Sequence, residues 1–548
     1  MASVDSNLED LMSHLGEFGK YQLLQYLLHV LSGLTAGLHM VSLETIAAVP
    51  NFNCTKYIIE PTINDIIEKT TCNYINNNKT YDCIEWNYDT SYYKSSIGMD
   101  WNFVCSNRWK GAIAKSAYML GVLAGAVSLG SMADKYGRKI IFCISGTAQL
   151  IIGLCVAFIG VYGDYYTWVI VRFLFGIFGS AGAYIPGFVL TMEMVGPTKR
   201  TVCGMMFQMT FAFGIVLVAF WASFIKDSMW LQITYALHAI LLLPHWWIMD
   251  ESPRWLWAQG RYQEAFKIVK NALVINGSNV KLDINNYIKN NKQSKNQINN
   301  DDDDKINKTY SAIDLLKTPN LRKKFLNVCL NWIACAISYY GLTLSSAKGH
   351  GNPYWNLALN ALVEVPSYIF ASYTMDKLGR RCLSSTFLLI GGTCCILAGF
   401  ITTFPILISL IGKACIALSF AVIYNYTAEL FPTVLRNTAV GIGSMCCRFS
   451  GALTPLLLLL DDLDKSIPST IFGIIALLSG FLTLFLPETA GQQMPETLED
   501  GEKFGIGDTC FTTCLGRKNT DDVYDVALKP MNVNETEKSS DSDENLKN

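Results

Sequence analysis

The sequence predicts an all-α membrane protein in which twelve transmembrane helices form two similar halves of six. Three observations predict this class. The 548 residues are 51% hydrophobic and only 16% charged, whereas about a quarter of the residues of an average soluble protein are charged. The apolar residues are gathered into runs of about 20, the length of helix that crosses the hydrocarbon core of a bilayer. Several motifs also occur twice, at a nearly constant distance along the chain.

Twelve apolar runs are predicted to span the membrane. They cover residues 22–48, 111–132, 140–161, 167–192, 202–225, 229–249, 325–347, 354–375, 383–403, 405–429, 437–460 and 467–487. The spans divide the chain into a first half at 1–250 with a long polar loop at 50–110, a linker at 251–324, a second half at 325–487 and a tail at 488–548. The sequence of the linker predicts an amphipathic helix on the membrane face, followed by a disordered Asn- and Asp-rich insert.

The distribution of basic residues predicts the orientation of the chain. An even number of spans places both termini on one side of the membrane. The short loops on that side hold nine lysines and arginines, whereas the opposite short loops hold only Lys226, Lys348 and Lys465. Because cytoplasmic loops carry such an excess of basic residues, we expect both termini to be cytoplasmic. The protein is predicted to lie in the plasma membrane, with the loop at 50–110 outside the cell.

The loop at 50–110 has the composition of an extracellular segment. It contains two sequons for N-glycosylation, at Asn53 and Asn78. Four of the 17 cysteines of the chain also lie in it, at Cys54, Cys72, Cys83 and Cys105. An oxidising compartment favours two disulfides among these four residues, and three pairings are possible.

The internal repeat is the strongest evidence for two halves. Asp134-Lys-Tyr-Gly-Arg-Lys139 follows the second span, and Asp376-Lys-Leu-Gly-Arg-Arg381 follows the eighth at an offset of 242 residues. Glu193 and Arg200 after the fourth span recur as Glu429 and Arg436 after the tenth, at an offset of 236. Arg172 and Lys413, near the outer ends of the same two spans, are 241 residues apart. A nearly constant offset for independent features indicates that two six-helix units are joined in tandem.

These motifs resemble those of a known transporter family. DKYGRK and DKLGRR resemble the signature loop of the major facilitator superfamily. ESPRWL at 251–256, AELFPTVLRN at 428–437 and LPETAGQQMPET at 486–497 are narrower and together resemble the organic cation, carnitine and organic anion transporters. The resemblance covers nearly the whole chain, from residue 15 to about residue 500. It implies the major facilitator fold and transport of small organic ions.

The family resemblance also implies a role for the charged residues in the repeated loops. It implies that they form a latch that holds the outward-facing state through ion pairs, which break when the helices move. The alternative is that they follow the positive-inside rule and cap helices. The eight latch residues are Asp134, Arg138, Glu193 and Arg200 in the first half and Asp376, Arg380, Glu429 and Arg436 in the second.

Two charged residues near the middle of spans are the main candidates for a substrate site. Arg448 lies 11 residues into the predicted eleventh span, and Glu364 lies 10 residues into the eighth. A charge at this depth costs about 2.5–3.5 kcal/mol on insertion scales, so such residues are usually functional. The alternative is a permanent ion pair between Arg448 and Glu364. By resemblance, an arginine at position 448 is typical of anion and carnitine transporters, and a glutamate at 364 of cation and carnitine transporters.

Aromatic residues complete the predicted site. The spans that hold them line the central cavity of the major facilitator fold, and aromatic rings attract quaternary ammonium groups by about 0.5–2 kcal/mol. Lys413 is added because it resembles the basic residue of anion-type members. The additional candidates for substrate binding are Tyr184, Tyr339, Tyr340, Lys413, Phe420 and Tyr424.

The sequence therefore predicts a carrier rather than an enzyme. The favoured reading is an organic cation or zwitterion transporter, with carnitine as an example, that works by alternating access. The alternatives are an organic anion exchanger on the same fold and a non-transporting ligand sensor. A net charge of −2 argues against a nucleic-acid partner. The sequence offers no nucleotide loop, no metal-ligand spacing and no nucleophile motif, so no cofactor or metal is expected. The expected partners are the organic ion, the lipid bilayer and a coupling ion, for which His39 and Glu44 are candidates.

Overall fold

The fold is taken from a computed structural model of the full chain. The structure describes residues 11–58, 68–69, 71–76, 79–278, 312–346, 351–401, 404–492, 494–495 and 497–510. The predicted sequon at Asn78, most of the linker insert and the end of the tail lie outside these residues. Helices dominate the described chain, and a small sheet lies between the first two spans.

Twelve helical segments follow the order predicted from the sequence. In the first half they are Lys20–Val41 with Leu43–Ile46, Arg108–Tyr136, Arg138–Tyr162, Tyr165–Gly176 continued to Ala183–Met194, Arg200–Phe224, and Ser228–Leu237 continued to His245–Ile248. In the second half they are Pro319–Ser346, Pro353–Leu362 with Glu364–Leu378, Arg380–Phe400, Pro405–Leu430, Thr433–Leu457 continued to Leu458–Asp462, and Ile467–Thr483. These are called spans 1 to 12 below.

Nine of these segments, within the described residues, are continuous helices long and apolar enough to cross a membrane. The other three are spans 6, 8 and 12. Span 6 tightens to a 3₁₀ turn at His238–Leu242, span 8 is interrupted at Val363, and span 12 has 17 residues. Span 4 contains a π-helical turn at Ile177–Gly182. Such turns are frequent at functional sites, and this one borders the central cavity described below.

The loop between spans 1 and 2 folds into a four-stranded antiparallel sheet. Its strands are β1 (Phe52–Tyr57), β2 (Glu68–Lys69), β3 (Asn73–Asn76) and β4 (Lys79–Tyr88), in the order β1-β4-β3-β2. Disulfides join Cys54 to Cys83 and Cys72 to Cys105. The structure thus selects one of the three pairings left open by the sequence. The second disulfide ties the sheet to the start of span 2. The sequon residue Asn53 lies exposed on β1.

The start of the linker forms two helices, Pro253–Ala258 and Tyr262–Asn276. The second is amphipathic. Its buried face, with Val269 and Leu273, packs against Leu11 and Leu15 near the N-terminus rather than facing outward. The linker helices are therefore held against the first half of the protein.

Candidate functional site

One cavity of about 80 Å³ lies between the two halves. Spans 1, 2, 4 and 5 line it from the first half, and spans 7, 8, 10 and 11 line it from the second, so each half contributes the same four positions. Six of the predicted site residues are among those lining it: Tyr184, Tyr339, Tyr340, Phe420, Tyr424 and Arg448.

Arg448 supplies the cation of this cavity. Its Nη1 donates to the carbonyl oxygen of Ser444 at 3.0 Å and also contacts the Ser444 hydroxyl. Its Nε is buried and has no hydrogen-bond partner in the described part of the chain. Among the described residues, no salt bridge joins Arg448 to a carboxylate, so the predicted alternative of an Arg448–Glu364 pair is not formed in this structure.

Glu364 is paired instead with Lys413. Lys413 Nζ lies 3.1 Å from Glu364 Oε1, and both side chains are completely buried. The lysine also donates to the carbonyl oxygen of Tyr339 at 3.2 Å and to Thr343 Oγ1 at 2.5 Å. The other carboxylate oxygen, Glu364 Oε2, accepts hydrogen bonds from the hydroxyls of Tyr339 and Tyr368, each at 3.0 Å. Neither Glu364 nor Lys413 lines the central cavity. Both lie behind its tyrosines.

The aromatic wall of the cavity is held by ring contacts and hydrogen bonds. Tyr339 packs edge-on against Tyr340 at 5.3 Å between ring centroids, and Phe420 lies 5.7 Å from Tyr339 and 5.9 Å from Tyr424. On the opposite side, the Tyr184 hydroxyl donates to Gln208 Oε1 at 3.1 Å. These contacts fix the directions in which the rings face the cavity.

The lining residues that the sequence analysis missed include Tyr368 and Gln208. Tyr368 follows Glu364 by four residues on one helix, a spacing that places both on the same face. The sequence could therefore have predicted Tyr368 as a site residue. Gln208 is an amide within the apolar run of span 5, and its role depends on Tyr184, which comes from another span. No local pattern reports that contact.

The predicted latch residues form one cluster in each half, on the side of the molecule opposite the sheet. This is called the motif side, and the other the sheet side. Arg138 Nη2 lies 3.0 Å from Asp134 and 3.3 Å from Glu193. In the second half Arg380 lies 2.8 Å from Asp376 and 2.9 Å from Glu429. These ion pairs remain within their own half.

The last members of the predicted latch make different contacts. Arg200 Nε donates to the carbonyl oxygen of Val195 at 3.2 Å, and Arg436 Nη2 lies 3.4 Å from Met494 Sδ. The ion pairs described above for the two clusters involve the other six residues.

Two glutamates after spans 6 and 12 complete the clusters. Glu251 accepts hydrogen bonds from the backbone N–H groups of Arg138 and Lys139 at 3.2 and 3.1 Å. Glu488 accepts from those of Arg380 and Arg381 at 2.8 and 3.1 Å. A carboxylate at a helix N-terminus is stabilised by these free donors and by the helix dipole. Burial nevertheless raises the pKa of the Glu251 carboxyl.

The glycine of each signature loop allows this arrangement. Gly137 and Gly379 have φ values of +110° and +83°, which residues with a Cβ rarely adopt. A Cβ on Gly137 would also lie 2.5 Å from Glu251 Oε2. The repeated Gly-Arg pair thus reverses the chain between two spans and brings its amides to a carboxylate.

The two halves contact each other closely on the sheet side. Arg108 at the start of span 2 forms ion pairs with Asp461 and Asp462 at the end of span 11. Ser116 Oγ donates to the carbonyl oxygen of Ala452 at 2.7 Å. Above these contacts lies a vestibule of about 700 Å³, with an ion pair between Glu44 and Lys115 in its wall.

A separate opening on the motif side indicates the conformation. A cavity of about 270 Å³ lies between spans 2, 4 and 11 and is lined by Asp134, Arg138 and Met445 among others. The halves are joined across the sheet side and leave this space on the motif side. The structure is therefore closed on the sheet side.

Comparison with known proteins identifies the family. The family model for sugar (and other) transporters matches residues 66–500. The chain is 34% identical over 525 residues to an organic cation transporter protein of Drosophila melanogaster, covering 91% of this chain and 95% of that protein. It is a member of the organic cation and carnitine transporters of the major facilitator superfamily. It is also 31% identical to the human organic cation/carnitine transporter 2, over 76% of this chain and 74% of that protein.

Solved structures support the major facilitator fold. The partially occluded inward-open form of the xylose transporter XylE from E. coli matches 86% of this chain and all of that chain, with a TM-score of 0.59 and 16% sequence identity. The family and fold predicted from the sequence are thus confirmed. The protein is a multi-pass membrane transporter and not an enzyme, and the family resemblance favours transport over the ligand-sensor alternative.

Proposed function

We propose that this transporter carries small organic zwitterions, with an ammonium group at one end and a carboxylate at the other, by alternating access around the central cavity. The observation that carries the proposal is the guanidinium of Arg448, which faces an aromatic cavity without a carboxylate partner among the described residues. Carnitine has this chemistry. Relatives named as organic cation and organic cation/carnitine transporters support the substrate class.

The carboxylate of the substrate would bind Arg448. A guanidinium offers a planar fork of donors that matches a carboxylate with two parallel hydrogen bonds. Arg448 Nε has no protein partner among the residues described, so at least one donor remains for a ligand. The carboxylate would also neutralise a charge that is otherwise uncompensated at this depth in the membrane.

The ammonium end would bind the aromatic wall. Tyr339 and Tyr368 both donate their hydroxyl hydrogens to Glu364, which lies behind them. Their hydroxyl protons are therefore not directed at a ligand. The electron-rich faces of their rings remain available to a cation, as do the ring faces of Phe420 and Tyr424. A quaternary ammonium gains about 0.5–2 kcal/mol from such faces. Glu364 and Lys413 are in this account positioning residues rather than direct ligands.

Alternating access requires the two sides to open in turn. A cavity of about 80 Å³ is smaller than the about 300–1,000 Å³ typical of ligand pockets, so binding needs the halves to separate. The sheet side, with its disulfides and the exposed sequon at Asn53, is proposed to be extracellular and glycosylated. The motif side and both termini would then be cytoplasmic, and the protein would lie in the plasma membrane.

An organic anion exchanger is the second candidate, and one observation favours it. Lys413 neutralises Glu364, so the charges next to the cavity sum to a net positive value because of Arg448. A positive site accepts any carboxylate, whether or not an ammonium is attached. The discriminating contribution is the aromatic wall, which favours a substrate with a cationic end.

Parallel uptake measurements in oocytes test the proposal. Carnitine, tetraethylammonium and para-aminohippurate represent a zwitterion, a cation and an anion. The proposal expects carnitine to be taken up best and to be competed by compounds carrying both groups. Saturable uptake of para-aminohippurate without uptake of carnitine would support the exchanger instead. Saturable uptake of tetraethylammonium alone would contradict both assignments of Arg448.

A further inference from the structure

Arg172 in span 4 is a buried cation that the transport site does not use. Its side chain is 1% exposed, and its Nε and Nη1 have no hydrogen-bond partner in the described ranges. No salt bridge to a described carboxylate reaches it. Its Cζ lies 5.0 Å from the ring of Tyr118 and 5.7 Å from that of Trp168. Aromatic faces attract the charge but accept N–H hydrogen bonds only weakly.

A second unpartnered group lies in the same region. His39 of span 1 is completely buried, and neither of its ring nitrogens has a hydrogen-bond partner in the described chain. Its ring packs 4.8 Å from that of Phe175, one helical turn after Arg172, and Phe175 in turn lies 5.9 Å from Tyr118. Trp168 adds a third buried donor, because its Nε1 is also unpartnered there.

Close helix packing fixes this cluster. Spans 2 and 4 meet at Gly121 and Gly176, where a Cβ on Gly176 would lie 2.2 Å from the carbonyl oxygen of Tyr118. This close approach of the two helices places Tyr118 beside Arg172. The guanidinium is about 10 Å along the helix from the start of span 4, too deep to reach water easily.

The excess of donors determines the kind of ligand that fits. Arg172 and Trp168 carry donors only, and a neutral histidine carries one donor and one acceptor. Buried polar groups are nearly always hydrogen-bonded, and an unpaired buried charge is strongly unfavourable. A small anion beside the guanidinium would accept hydrogen bonds from such donors and balance the charge, whereas a cation would be repelled.

The cluster is distinct from the central cavity. Neither Arg172 nor His39 lines any of the three cavities described above. Tyr118 separates the two regions, and its hydroxyl shares a 2.7 Å hydrogen bond with the hydroxyl of Ser180, which does line the central cavity. A ligand bound at Arg172 would therefore be held in the first half alone.

We propose that a small inorganic anion, chloride under physiological conditions, binds between Arg172, His39 and Trp168 within the first half of the transporter. The anion neutralises the guanidinium and joins spans 1 and 4. Because Tyr118 connects this site to Ser180 at the cavity wall, occupancy also fixes that wall. The protein is stabilised by the anion whether or not an organic substrate is bound.

The first test locates the anion in the unmodified protein. The purified full-length transporter is crystallised with bromide in place of chloride, and anomalous diffraction is recorded at the bromine edge. The proposal expects a peak in contact with Arg172 and His39. A peak only at Arg448, or no peak at either arginine, overturns it.

The second test measures thermal unfolding of the full chain in lipid nanodiscs. Chloride replaces gluconate at constant ionic strength. The midpoint temperature of unfolding should then rise with the logarithm of the chloride concentration. Arg172→Gln should abolish this shift, and Arg448→Gln should retain it. Arg261→Gln, at an exposed linker arginine, serves as the matched control for loss of one charge. A shift that is lost in Arg448→Gln and kept in Arg172→Gln overturns the proposal.

A milder variant covers the case in which Arg172→Gln does not fold. Trp168→Phe removes one neutral donor and preserves an aromatic ring. Loss of one neutral hydrogen bond should weaken chloride binding by about 2- to 12-fold. The midpoint curve should move to higher chloride by that factor. An unchanged curve in Trp168→Phe shows that the anion acts elsewhere and overturns the site.

Discussion

Lys413 Nζ and Glu364 Oε1 form a completely buried ion pair at 3.1 Å, behind the tyrosines of the central cavity. The lysine also lies 3.0 Å from the centroid of the Tyr339 ring, and the glutamate binds the hydroxyl of the same residue. One cavity tyrosine is therefore held from both ends by opposite charges. Because Lys413 neutralises Glu364, the positive charge of Arg448 is left in excess at the site.

The first prediction concerns this pair and charge selectivity. Lys413→Gln exposes the cavity to the uncompensated charge of Glu364, so uptake of tetraethylammonium should rise relative to carnitine. Breaking a buried pair costs about 3–5 kcal/mol, whereas neutral replacement of both partners is close to neutral. Lys413→Gln with Glu364→Gln should therefore recover surface expression and zwitterion preference. Uptake ratios normalised to surface protein test this.

An unchanged cation-to-carnitine ratio in Lys413→Gln, at measurable expression, would contradict the assigned role of the pair. The matched control is Lys324→Gln, a buried lysine at the start of span 7 that binds backbone carbonyls of the tail and lies far from the cavity.

The second prediction concerns closure of the sheet side. Asp461→Asn with Asp462→Asn removes both carboxylate partners of Arg108. Partly exposed pairs contribute up to about 1 kcal/mol, which is a factor of about 5 in a conformational equilibrium. The sheet-side-open state should gain population. An impermeant thiol reagent added outside the cell should then react faster with Cys447, which lines the central cavity. The reaction is measured as loss of uptake.

Cys447→Ser should remove that sensitivity in both backgrounds, which assigns the effect to the cavity cysteine. Equal inactivation rates with and without the two aspartates would mean that the Arg108 contacts do not hold the sheet side closed.

The third prediction concerns the latch. Asp134 and Asp376 are each 74% exposed and pair mainly within their own helix junction. Replacement by Asn should leave folding and surface expression nearly intact, because exposed pairs contribute little to stability. Maximal uptake should fall, since the balance of inward and outward states changes while the site does not. Glu264→Gln, in an exposed linker pair, is the control.

Full maximal uptake in both aspartate variants would leave only the topological interpretation of these loops. Arg380→Gln should behave differently, because its side chain is 13% exposed and it bonds both Glu429 and the backbone of span 8. This variant should reduce surface expression as well as uptake.

Much of the architecture could be predicted from the sequence because span lengths and repeats are local or periodic patterns. The repeated Asp-x-x-Gly-Arg loops predicted the symmetry that places spans 1, 2, 4 and 5 opposite spans 7, 8, 10 and 11. The glutamates at 251 and 488 occur at a similar offset of 237 residues. Their contact with backbone amides 107 to 113 residues away could not be read from spacing.

The sequence alone could not predict which charged residues of different helices form ion pairs. Arg448 and Glu364 lie at similar depth, which made them candidate partners, yet Glu364 faces Lys413 on span 10. Depth along a helix does not report rotation around it. The sequence predicts Lys413 near the outer end of its span. In the structure its long side chain reaches Glu364 and Tyr339 inside the second half. The ion pair with Glu364 and the hydrogen bonds to Tyr339 and Thr343 offset the cost of burying the Lys413 charge.

The fourth prediction concerns orientation. Asp301-Asp-Asp-Asp-Lys305 forms an enteropeptidase recognition sequence in the part of the linker outside the described residues. If the motif side is cytoplasmic, enteropeptidase should leave the chain whole in intact cells and cleave after Lys305 in permeabilised cells. Immunoblotting of the two fragments is the measurement. Cleavage in intact cells would reverse the orientation.

Affinity for zwitterions in variants of Arg448 tests the central claim most directly. Arg448→Lys keeps the charge but loses the planar fork, so carnitine affinity should fall. Loss of a charge-assisted contact in Arg448→Gln should cost about 2–3 kcal/mol, which is about 30- to 150-fold in affinity. Arg448→Asp should reject carnitine and accept tetraethylammonium. Competition binding to the purified transporter would contradict the account if all three variants bound carnitine as the unmodified protein does.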